Sequence, residues 1–219
     1  MSGLFSVDNP VFVFLGKVWD MMFLSILWIV CCIPIITIGP ATSALYYVMV
    51  KVIRRGRGYV FREFVHSFKE NFKVGAISTI ILLIAAAVLV IDYQFAKQMI
   101  EQSSTLGNVL YAVYFAVIII VCLMTVFIFP ILSRFTLKVK DLFKTTFFMS
   151  IRHLPTSILL ILIVVVSAVA IWLTVIGAIL IPAVCAWICS FLIERIFKKY
   201  MPKPEESDEE SGKDTWYLE

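Results

Sequence analysis

Four stretches without a single Asp, Glu, Lys, Arg or His, at residues 21–50, 74–91, 102–133 and 154–193, constrain what this chain can fold into more than any motif does. They run to 30, 18, 32 and 40 residues and alternate with basic segments. An α-helix crosses the hydrocarbon core of a bilayer in ~20 apolar residues, and inside lipid only helices or closed barrels satisfy their own backbone. The stretches therefore hold roughly five or six transmembrane helices. A hydrophobic content of 61% and a mean hydropathy of +0.97 agree with a membrane chain. In 219 residues this leaves one membrane domain, 1–200, an acidic tail, 201–219, and no room for a soluble catalytic domain. The N-terminus has no basic segment ahead of its first apolar run and no small-residue cleavage site after it, so no cleaved signal peptide is expected.

The charges give an orientation. Lys51, Arg54, Arg55, Arg57, Arg62, Lys69 and Lys73 form one basic cluster, and Arg134, Lys138, Lys140, Lys144 and Arg152 a second. Arg195, Lys198, Lys199 and Lys203 form a third, whereas residues 92–101 and the turn near Thr174–Gly177 carry almost none. The positive-inside rule puts all three clusters in the cytoplasm, for a multi-pass protein of the plasma membrane. Because these charges sit at the ends of spans, they are an orientation signal and not a nucleic-acid footprint.

From that frame, 74–91 leads out, ~107–130 returns, and the longest run folds at Gly177 into ~155–174 and ~177–196. The first run has two readings. In one it is a single span with the N-terminus outside. In the other Pro34, Gly39 and Pro40 break it into spans at ~12–33 and ~40–56, which gives six helices and both termini in the cytoplasm. The second is favoured, because Lys17 and Asp20 then lie near the interface, where Lys snorkels.

Two basic segments read as interfacial elbows. Phe61, Phe64, Val65, Phe68 and Phe72 fall on one face of a helix, and a second stripe comprises Leu142, Phe143, Thr146, Phe147 and Ile151. Both segments are too short and too charged to span, so they lie in the membrane surface. Span, elbow, span thus occurs twice, a faint two-fold repeat of about 80 residues of the kind seen in transporters. The expected fold is an all-α polytopic bundle in two related halves.

Recognisable chemistry is sparse. No ionisable residue lies at the middle of a predicted span, which disfavours a proton-driven carrier. There is no P-loop and no H-E-x-x-H, so no enzyme activity, cofactor or metal is expected. Glu63, His66 and Glu70 lie on one side of the first elbow, but the second elbow has no counterpart, and a solvated polar face is the ordinary reading. Cys185 and Cys189 share a helix face without a histidine or carboxylate to complete a metal site. Arg54, Arg55 and Arg57 are candidates for contact with anionic lipid headgroups. The tail holds seven acidic residues against two lysines, a net of −5 that leaves +9 on the rest; it reads as disordered and ends in Thr215-Trp216-Tyr217-Leu218, where Trp216 is a candidate docking residue.

The segment from Leu27 to Lys73 resembles the YesL-like family of uncharacterised bacterial membrane proteins, which carry a domain of unknown function. The matching features are Leu27-Trp28, Pro34, Thr37 to Thr42, Tyr46-Tyr47, and Phe64, Phe68 and Asn71 of the elbow. FPILSRF at 129–135 and SIRHL at 150–154 are similar to the family's second half, so the resemblance spans nearly all of residues 10–198. It implies no catalytic or ligand residues. It also implies a gene neighbourhood of carbohydrate ABC importers and glycoside-degrading enzymes, mostly in Gram-positive bacteria. The expected role is an accessory or regulatory component of a carbohydrate uptake system, bound to permease subunits through Phe64, Phe68 or Trp216. The alternative is a self-sufficient facilitator or channel for a small neutral solute, its path lined by the Pro34, Gly39 and Pro40 break.

Overall fold

A computed structural model describes residues 10–101 and 105–200; Trp216 and the rest of the acidic tail lie outside the described residues. Among the described residues the regular structure is all helical. The helices are α1 (Pro10–Cys32), α2 (Ile38–Val48), α3 (Val60–Glu70), α4 (Phe72–Glu101), α5 (Thr105–Arg134), α6 (Val139–Arg152), α7 (Leu154–Leu173) and α8 (Ile181–Phe197). Helix α2 continues through a π turn, Met49–Arg54. Five segments, 12–32, 35–54, 72–94, 111–134 and 154–173, are long and apolar enough to cross a membrane. Helix α8, with 17 residues, returns beside α7.

The first uncharged run is thus two helices. Pro34 and Pro40 deny the backbone N–H groups a continuous helix would need. Thr37 holds the corner by donating its hydroxyl to the carbonyls of Cys31 and Pro34, both at 2.6 Å. Helices α1 and α2 lie side by side, with Trp28 Nε1 donating to Thr42 Oγ1 at 3.2 Å.

Helix α2 is the centre of the bundle. Of its apolar window 67% is buried, against 11% for α1 and for α7. Lipid tails are as apolar as a leucine side chain, so helices in a bilayer associate through close packing of small residues rather than by escaping water. Gly39, Ala41, Ser43 and Ala44 meet that need and are all buried. A Cβ on Gly39 would stand 2.2 Å from Thr79 Oγ1 and 2.6 Å from the Gly75 carbonyl, and one on Gly75 would stand 2.9 Å from Pro40 N. Here α2 and α4 touch backbone to backbone.

Both elbows are real helices, α3 and α6, each placed between two long ones as the repeat requires. They gather at the end of the bundle where Arg55, Arg134 and Arg195 close α2, α5 and α8 (the basic end, below). At the opposite end, Tyr93, Tyr111, Tyr114 and Phe115 cluster with ring centroids 4.8–6.4 Å apart, in the manner of an aromatic belt.

Candidate functional site

The basic end is closed by charges that meet from distant parts of the chain. Glu194, on the last turn of α8, accepts from Arg134 Nε at 3.0 Å and from Tyr46 Oη at 3.0 Å through Oε1. Its Oε2 pairs with Arg134 Nη2 and lies 3.8 Å from Arg55 Nη2. The Arg134 and Glu194 side chains are only 1% and 7% exposed. In so dry a place neither charge is tolerable alone, so the pair fastens α8 to α5 while Tyr46 and Arg55 bring in α2. Next to it, Arg54 Nη1 donates to Ser190 Oγ at 3.1 Å and its guanidinium stands 4.1 Å over the Phe191 ring, a stacking geometry that suits arginine.

A second pair fixes the first elbow. Lys51 Nζ donates to Glu63 Oε2 at 3.0 Å and to Tyr47 Oη at 3.2 Å. Gly58 (φ +89°) leaves room for that carboxylate, since a Cβ there would meet Glu63 Oε1 at 2.8 Å. Gly58→Ala therefore carries left-handed strain of about 1–2 kcal/mol and displaces Glu63 as well. The expected outcome is faster proteolytic cleavage between Arg55 and Tyr59, with the bundle still folded; an unchanged cleavage rate would mean the pair does not hold the elbow.

These contacts revise several sequence expectations. Phe64 is 1% exposed and packed among Leu24, Val48, Met49 and Ala183, with Phe68 partly buried against the same cluster. A side chain in the core offers nothing to a partner, so the middle of this stripe faces its own bundle while its ends, Phe61 and Phe72, stay exposed. Also exposed are Tyr59, just ahead of this elbow, and on α6 the stripe residue Phe147 together with Phe148. Arg54 and Arg55 turn inward to α8, which leaves Arg57 as the exposed member of the headgroup trio. Pro34 is exposed, while Gly39 and Pro40 are buried against α4, so the break is a packing joint. In the Glu63, His66, Glu70 group, Glu63 is drawn to Lys51 and His66 lies 3.6 Å from an exposed Glu70. No set of three His, Cys, Asp or Glu side chains suited to a metal occurs among the described residues. His153 bonds Tyr200 Oη at 3.0 Å, and partial burial with Lys199 and Arg152 nearby holds its pKa below the usual histidine value.

Sequence reasoning did not find one apolar concavity. An apolar cavity of ≈ 340 Å³ lies within the bundle, lined among others by Trp28, Thr42, Phe129, Val164, Ala168 and Cys185. The lining belongs to α1, α2, α5, α7 and α8, and the last four touch in a closed ring. Tyr46 and Ile193 also line it, beside Glu194, so the charge cluster forms its floor toward the basic end. Its size is at the lower bound of small-molecule pockets, ~300–1,000 Å³. Thr125 and Ser167, two of its few hydroxyls, donate to the Val121 and Ile163 carbonyls of their own helices, both at 2.8 Å.

Residues 21–93 match a family model described as "Protein of unknown function, DUF624". That region contains the α2–α4 joint, the π turn and the Lys51–Glu63 pair. The chain is also 26% identical over 164 residues, 73% of its own length and 76% of the relative's, to "Uncharacterized protein YesL" of Bacillus subtilis (strain 168). No solved structure matches.

Proposed function

We propose, starting from the fact that this chain is a YesL-like protein of a family of unknown function, that it works without catalysis, as an accessory or regulatory component of a carbohydrate ABC-type uptake system in the plasma membrane. The observation that carries this reading is the pair of elbows. The middle of each apolar stripe is used in packing, at Phe64 and Leu142, yet Tyr59, Phe61 and Phe148 stand 79%, 58% and 61% exposed on the same end of the bundle. The positive-inside rule puts that end in the cytoplasm, with both termini. Exposed aromatics on elbows whose inner faces are packed suit an anchor for another protein, since such side chains bind with little loss of rotamer freedom.

The test is a mild-detergent purification from the native organism, with a tag ahead of Met1 and mass spectrometry of what accompanies the protein. Stoichiometric permease subunits of a carbohydrate ABC importer are expected, lost when Phe61→Asp and Phe148→Asp are combined in a protein that still inserts. Recovery of the protein by itself would sink the proposal. The second reading, a facilitator for a small neutral solute, is favoured by the cavity alone. It requires the Tyr46–Glu194–Arg134 floor to open, and it predicts solute flux in proteoliposomes that contain no other protein.

A further inference from the structure

We infer that the cavity ringed by α2, α5, α7 and α8 is a site for one hydrocarbon chain of a membrane lipid, which enters sideways between α5 and α7. The first ground is where the mouth lies. Of the cavity's lining residues, Thr125, Val164 and Ala168 are exposed, all on α5 and α7, whereas those on α1, α2 and α8 are buried or half-buried. On either side of this mouth α5 and α7 present Val117, Ile119, Val165 and Val169, exposed and aliphatic. The mouth therefore opens within the hydrocarbon band and not onto water, and whatever enters must be soluble in lipid.

The second ground is packing. Helix α7 has Ser157 and Leu160 as its buried residues, both near the basic end. Beyond them, toward Trp172, it is held against α8 while its side toward α5 stays open at Val164 and Ala168. In α5, Pro130 lines the cavity and lacks the N–H that would bond the Val126 carbonyl, so this helix too yields where a chain would lie. The third ground is the chemistry of the walls. Leu45, Val126, Phe129, Ala186 and Ile193 supply dispersion contacts along a narrow space. The hydroxyls of Thr125 and Ser167 are turned to their own backbones. A polar solute would find few partners here, and a methylene chain needs none.

The experiment places the full-length protein in phosphatidylglycerol–phosphatidylethanolamine vesicles containing a trace of phospholipid with a diazirine at mid-acyl chain. After irradiation, adducts are mapped by peptide mass spectrometry. Adducts are expected on Cys185, Cys189 and Ile193, which do not face bulk lipid, as well as on Val165 and Val169, which do. Filling the mouth with Ala168→Phe, or independently with Val164→Phe, should abolish the inner adducts and leave the outer ones, and the retained outer labelling shows that the variant is inserted. Outer labelling with none on Cys185, Cys189 and Ile193 in the wild-type protein would overturn the inference. So would inner adducts that survive both mouth-filling substitutions.

Discussion

Glu194→Ala is expected to cost about 3–5 kcal/mol of stability, the usual penalty for removing one partner of a buried ion pair. Arg134 is 1% exposed and donates to both oxygens of this carboxylate, so the substitution takes the counter-charge from a guanidinium that water cannot reach. Tyr46 loses its acceptor in the same change, and an unsatisfied buried hydroxyl adds about 1–3 kcal/mol. Thermal denaturation in detergent, followed by the loss of the monodisperse peak in size-exclusion chromatography, reads the effect. The informative companion is Glu194→Leu combined with Arg134→Met. Apolar replacement of both partners is often near neutral, so the double variant should regain most of the loss. If it proved as unstable as the single variant, lost packing and not stranded charge would be the cause.

Gly39→Ala should be the most damaging one-carbon change in the bundle. The added Cβ would meet Thr79 Oγ1 at 2.2 Å, the Gly75 carbonyl at 2.6 Å and Phe129 Cε1 at 2.7 Å. Overpacking typically costs about 1–3 kcal/mol when side chains can shift, and the Gly75 carbonyl is backbone. Helix α2 must therefore move away from α4, which also disturbs α5 through Phe129. Adding Thr79→Ala removes the nearest atom but leaves the carbonyl, so rescue should be partial. Gly16→Ala, where nothing lies within 4 Å, is the control and should be neutral or slightly stabilising. Folded yield in detergent measures all four proteins. An undiminished Gly39→Ala protein would show that the two helices are not in backbone contact.

The uncharged runs were enough to read out an all-helical chain, and the proline-rich corner favoured without deciding two helices in the first run, because lipid solvation and proline sterics act over a few neighbouring residues. The elbows were equally legible from their 3.6-residue stripe. What the stripe did not tell is what covers it: Phe64 sits on an apolar face as expected and is turned to α1 and α2, whereas Phe61 on the same face is exposed. The charge cluster was illegible for a different reason. Arg134 and Tyr46 lie 60 and 148 residues from Glu194, and Arg134 read as one more basic residue at the end of a span. Cys185 and Cys189 were seen to share a face, but only the arrangement of five helices shows that this face borders a cavity. Local chemistry writes itself into a sequence, whereas the meeting of distant side chains does not.

The π turn at Met49–Arg54 bears on how the basic end is specified. Such a turn is an α-helix that accommodates one surplus residue, and each residue of an α-helix advances the direction of its side chain by about 100°. Lys51 and Arg54 reach Glu63 and Ser190 from within the turn, while Arg55 reaches Glu194 from just beyond it. The phase of the helix, counted from Pro40, thus decides which neighbour each cation finds. A chain with every charge retained and one residue fewer in this turn would aim its arginines at different partners, so the closure of this end is encoded in a residue count as much as in residue identities.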